Sequence, residues 1–177
     1  MDENDPVDAI TLAWLRERPG TPVEGIGVVT RIWQLAKIFG DDRRRMLAAV
    51  DADPAILDLL SVLRRSGPPY RLTTRQLVER AHVTAGAISQ RVARAEAEGL
   101  VVREPLGAGS RSVVVTLTPE GHALVERLVD RVLGREADLI SGLTAEQRTA
   151  LTDLLRALLD DLQARLGEEK ITPVGSG

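Results

Sequence analysis

A chain of 177 residues with 44% hydrophobic content is long enough for one packed domain or two small ones, which excludes global disorder. It holds no Cys, so disulfides, thiolate metal sites and cysteine redox switches are excluded, and with aromatics at 2% the core must be built from Leu, Val, Ile and Ala. The net charge of −3 is unevenly spread: residues 71–115 carry seven Arg against four Glu, net +3, whereas residues 118–170 carry seven Lys or Arg against eleven acids, net −4.

Asp5-Pro6 reads as a helix start, a capping acid followed by proline at the first helical position. Ile10, Ala13, Trp14 and Leu15 give this helix a short apolar face, and Pro19-Gly20-Thr21-Pro22 ends it. A longer helix is expected from about Gly27 to Val50, with Val28, Ile32, Leu35, Ile38 and Phe39 at helical spacing. Arg43-Arg44-Arg45 after Asp41-Asp42 is read as its solvated face. Asp53-Pro54 repeats the start signal, Ile56–Leu63 is strongly apolar, and Ser66-Gly67-Pro68-Pro69 stops the helix. A capping box at Thr73–Gln76 predicts a helix over Thr74–Ala81. Thr84 caps the next, to about Glu98, with Gly99 closing it.

Val101–Glu104 and Ser112–Leu117 read as strands. The loop between them, with Gly107 and Gly109, is too short for a crossover, so they form a hairpin. Thr118-Pro119 opens a helix to about Leu143, and Thr144–Gln147 is a second capping box. The last helix carries Leu151, Leu154, Leu155, Leu158, Leu159, Leu162 and Leu166 as one stripe. That stripe packs either on the preceding helix or in a dimer interface, and the module in the middle of the chain favours the dimer. The expected fold is α+β, mainly α: two short helices and a β-hairpin in the order of a winged helix-turn-helix, a module that reads DNA. Residues 53–117 form that module. Residues 5–50 and 118–167 supply dimerisation helices, with 5–19 an extra N-terminal helix, and 168–177 are expected to be a disordered tail.

The residues LTTRQLVERAHVTAGAISQRVARAEAEGLVVREP, a glycine loop with Arg111, and VVVTLTPEG together resemble the MarR family of transcriptional regulators. The resemblance covers roughly Gly27–Leu166. It implies an obligate homodimer that binds a palindromic operator in double-stranded DNA, usually as a repressor, and releases it on meeting a small ligand. The helix from Thr84 would then enter the major groove. Thr84, Ala85, Gly86, Ser89 and Gln90 would approach bases and phosphates, Gln90 being able to pair bidentately with adenine. Arg94 is placed for a phosphate, Ile88, Val92 and Ala95 are core, and Arg111 would reach a minor groove. The family usually carries Asp two residues before the wing Arg; here that position is Gly109, which leaves the wing less braced.

A second group of residues stands apart. Asp58 interrupts an apolar run and needs a cation. Arg91 lies on or beside the inward face of its helix, and Arg103 begins the hairpin just behind it. A carboxylate between two guanidiniums leaves room for an anion, and Trp14 offers a flat stacking surface. Trp14, Asp58, Arg91 and Arg103 match, one by one, the urate-responsive, PecS-like branch of the family, which implies a small aromatic anionic effector: urate, another purine-like or phenolic compound, or an antibiotic.

No nucleotide or hydrolase fingerprint is present, so an enzyme is not expected, and no cofactor is assigned. His82 and His122 are the only histidines and make a poor zinc site without Cys, so no metal is assigned either. No hydrophobic run approaches the roughly 18 residues that span a bilayer, and the acidic start MDENDPVDAI lacks a signal-peptide pattern, which points to a cytoplasmic protein without membrane contact. The competing reading is a winged-helix protein-interaction module, or a small-molecule-binding protein, that does not bind DNA.

Overall fold

The computed structural model describes residues 2, 4–107 and 112–166, which form seven helices and a small three-stranded sheet. They fall into two units, one within Met1–Arg45 and one within Met46–Gly177.

In the first unit α1 spans Pro6–Glu17. The Asp5 carboxylate caps it by accepting from the Val7 and Asp8 amides at 2.8 and 3.1 Å. The long helix α2, Ile26–Ala48, sends Arg31 back to Asp5 at 2.8 Å and Asp8 at 3.0 Å, which ties the two helices together. The Arg31 hydrogen bond holds the Asp5 carboxyl below its ordinary range. For Asp8 the Asp2 amide contributes most and Arg31 next, in the same direction. Val7 and Thr11 are the residues α1 buries, while Ile10, Trp14 and Leu15 stay open. On α2, Val28, Val29, Trp33, Leu35 and Ile38 are all exposed, Trp33 at 71%. Asp41 accepts from Lys37 and Arg44 one turn away on either side, the solvated charged face expected for that stretch.

The second unit is built round α3, Pro54–Arg65, which buries Ile56, Leu57, Leu59, Leu60, Val62 and Leu63. Such a helix, apolar over most of its surface, must be surrounded. Around it lie α4 (Thr74–Ala81), α5 (Ala85–Ala97) and α6 (Pro119–Leu139). The capping box on α4 is present in both directions, Gln76 amide to Thr73 Oγ1 and Thr73 amide to Gln76 Oε1. His82 then turns the chain in the left-handed region, φ 52°, and Thr84 caps α5.

Strands β2 (Val101–Pro105) and β3 (Val113–Leu117) form the expected antiparallel hairpin, in register from Val101 opposite Leu117 to Pro105 opposite Val113. A further strand, β1 (Arg71–Thr73), pairs with the other edge of β3 to give the order β1-β3-β2. Three residues ending in a helix cap carry too little alternation to be read as a strand, and their pairing with Val114–Thr116 is non-local. The C-terminal helix α7 spans Ala145–Leu166 and buries no residue. Leu154 and Leu166 are 69% and 73% exposed, so packing on the preceding helix does not cover the leucine stripe. Helix α6 ends at Leu139, four residues before the expected stop, with Ile140 as its cap. No helix among the described residues is long and apolar enough to cross a membrane.

One junction ties α5 to α6. Gly99 closes α5 with φ 72°, a conformation that glycine adopts without strain. Its carbonyl accepts from Thr118 Oγ1 at 2.7 Å, and the Leu100 carbonyl accepts from the Thr118 amide at 3.1 Å. The Thr118 hydroxyl in turn caps α6 by accepting from the Gly121 amide at 3.0 Å. A Cβ at position 121 would lie 2.1 Å from the Leu100 carbonyl oxygen, so this crossing is open only to glycine.

Candidate nucleic-acid interface

Helix α5 is anchored from one side only. Ile88, Val92 and Ala95, spaced four and three residues apart, are buried against α3 and α4, as the sequence pattern requires. The opposite side is open: Thr84, Ala85, Gly86, Ser89, Gln90 and Arg94 are all exposed. The helix begins there, with the Thr84 hydroxyl accepting from the Ala87 amide at 3.2 Å. An exposed helix start with small residues at its first positions and a Gln one turn in can enter a DNA groove and meet both phosphates and base edges. Arg111 and Gly109, the wing positions of interest, lie outside the described residues, as does the tail 168–177.

Three arginines flank this face, and each meets a carboxylate. Arg94 donates to Asp53, the N-cap of α3, at 2.5 Å. Arg91, its side chain only 11% exposed, points inward with Nη1 4.0 Å from Asp58, which α3 holds part-buried among its leucines. Arg103 donates from Nε to Glu96 at 2.6 Å. Its guanidinium lowers the Glu96 pKa below the ordinary carboxylate range. The inward position of Arg91 and its approach to Asp58 follow the sequence expectation.

Arg103 departs from that expectation. Its carboxylate is Glu96 rather than Asp58, because β2 leaves α5 through the Gly99 turn and brings position 103 back alongside the last turn of the helix. Arg103 instead lines a groove of about 540 Å³ that runs between α4, the first half of α5 and the hairpin, together with Thr74, Val78, Ser89, Val92 and Val113. Trp14 belongs to the N-terminal unit, where it is 48% exposed.

Asp53 and Glu96 are the carboxylate partners of Arg94 and Arg103 that the sequence pattern does not reveal. The Asp53-Pro54 pattern marks Asp53 as a cap, and a carboxylate whose first oxygen caps a helix still has its second oxygen for a cation. Glu96 lies seven residues from Arg103 across a turn whose geometry no spacing rule predicts.

A buried three-helix core, a left-handed turn between α4 and α5, and a hairpin behind the exposed helix define a winged helix-turn-helix of the DNA-binding regulator class. The chain belongs to the MarR family of such regulators, whose family model matches residues 53–112. It is 30% identical to the HTH-type transcriptional regulator PecS of Dickeya dadantii over 149 residues, 84% of this chain and 90% of that one. Among solved structures it resembles Sco3205 of Streptomyces coelicolor, a MarR family regulator in complex with DNA: 27% identity, TM-score 0.66, covering 79% and 92% of the two chains. It also resembles BpsR of Bordetella bronchiseptica, whose DNA binding is regulated by 6-hydroxynicotinic acid: 25% identity, TM-score 0.63, covering 75% and 93%. The family places the chain among transcriptional regulators rather than enzymes, within reach of the PecS-like branch.

Proposed function

We propose that the chain works as a cytoplasmic homodimeric repressor that reads a palindromic operator with α5 and releases it on binding a small aromatic anion. The observation that carries the reading is the open N-terminal face of α5, formed by Thr84, Ala85, Gly86, Ser89 and Gln90 over the buried anchor Ile88, Val92 and Ala95. Arg94 and Arg111 add phosphate and minor-groove contacts. Two-fold use of α5 requires a second copy. The uncovered leucines of α7 and the exposed apolar residues of α2 supply faces for it.

The effector class is supported by BpsR and its 6-hydroxynicotinic acid, and by the match of Trp14, Asp58, Arg91 and Arg103 to the urate-responsive branch. Within that set Arg91 is the anchor, since a mostly buried guanidinium facing one part-buried carboxylate is where an anion gains most from a charge partner. Arg103 already meets Glu96 through Nε and Nη2, so an anion would share its guanidinium with that carboxylate. Trp14 is assigned on the sequence pattern alone.

The test is operator release. DNA binding is followed by fluorescence anisotropy while urate, 6-hydroxynicotinate and phenolic acids are titrated separately. Release by at least one aromatic anion, lost in Arg91→Ala, is expected. Unchanged DNA affinity across the panel contradicts the effector assignment.

A further inference from the structure

Arg94 sits on the flank of the open face of α5, one turn after Gln90, with a side chain 53% exposed. A cation in that position is expected to be free for phosphate. It is engaged instead by Asp53, whose two oxygens are divided between two tasks. Oδ1 caps α3, accepting from the Ala55 and Ile56 amides at 2.7 and 3.4 Å, and Oδ2 takes Arg94. The cap fixes the carboxylate in place, so it is a rigid acceptor rather than a wandering surface acid. A rigid carboxylate at the rim of a DNA-facing surface does to Arg94 what a DNA phosphate would do, and it also repels that phosphate.

Resting on the reading of α5 as the DNA-reading helix, we propose that Asp53 is a positioning residue that competes with the DNA backbone for Arg94 and thereby suppresses sequence-independent binding. Phosphate contacts made by Arg strengthen binding to any duplex and add no discrimination, since they carry no sequence information. Holding one such Arg on an internal carboxylate leaves the grip of α5 more dependent on base contacts. Arg94 transfers to phosphate only when the helix is fully seated in the groove.

The test uses the full chain and a labelled random-sequence duplex, with affinity measured from about 50 to 200 mM salt. Asp53→Asn keeps a good N-cap oxygen and removes the charge. It is expected to tighten random-sequence binding by roughly 3- to 10-fold at the low-salt end and to steepen the slope of log affinity against log salt by about 0.9, one phosphate contact. Asp53→Ser, which also caps, is expected to do the same and serves if the Asn variant folds poorly. In an Arg94→Ala background the Asp53→Asn change in slope should vanish and its gain in affinity should shrink to the small part that comes from lost repulsion. An unchanged slope and affinity in Asp53→Asn overturns the proposal, and so does an equal gain with Arg94 absent, which would make Asp53 a general surface charge. Failure of the unmodified chain to bind any duplex at low salt is a different result and overturns the DNA-reading assignment itself.

Discussion

Thr118 uses one hydroxyl twice, as donor to the Gly99 carbonyl that closes α5 and as acceptor for the Gly121 amide that opens α6. Thr118→Val keeps the shape and loses both bonds. A cost of about 1–2 kcal/mol is expected, visible as a lowered Tm, with weaker DNA binding because α5 loses its fixed end. Gly121→Ala should cost more, roughly 2–3 kcal/mol, since its Cβ cannot be placed without moving the Leu100 backbone. An unchanged Tm in either variant would deny the junction its role. The caps themselves, Asp5, Asp53, Thr73, Thr84 and Thr118, were legible in the sequence because each acts within three residues of itself. The partners of Arg94 and Arg103 were not, because Asp53 is 41 residues away and Glu96 lies across a turn.

Among the elements, α3 is the part on which the second unit depends. Leu59 and Leu60 are fully buried at its middle, and Leu59→Ala is expected to destabilise the protein by about 2–5 kcal/mol, measured by urea unfolding. Its period and its proline-marked ends made this helix legible. The strand β1 was not, since its partner is β3, over forty residues downstream. In the first unit the α1–α2 link depends on ionised Asp5 and Asp8. Both carboxyls titrate below the ordinary value of 3.8, so the folded state is favoured fully above that value and loses the contribution as pH falls below it. Protection of the α1 amides in hydrogen exchange should therefore be constant from neutral pH down to about 5 and decline below about 4. A decline already at pH 6 would mean that another group carries the link.

At the scale of the whole molecule, α7 carries an exposed apolar stripe of the kind that a second copy would cover. Leu151, Leu154, Leu155 and Leu159 of α7 follow helical spacing and are all exposed. Light scattering is expected to give twice the 19.2 kDa chain mass, and Leu154→Glu to shift it toward one chain; a monomeric unmodified protein contradicts the dimer. The stripe was legible as a pattern, but periodicity alone does not say whether the covering partner is another helix of the chain or another chain. The exposure of α7 shows that packing on the preceding helix does not cover this stripe.

DNA reading by α5 is tested most directly by binding of the unmodified chain to its own upstream intergenic DNA in competition with a random duplex. A complex that survives to physiological salt, favoured over random sequence by about 1,000-fold or more and weakened by Gln90→Ala, is predicted. Absence of any complex at low salt, where phosphate contacts are strongest, would contradict it.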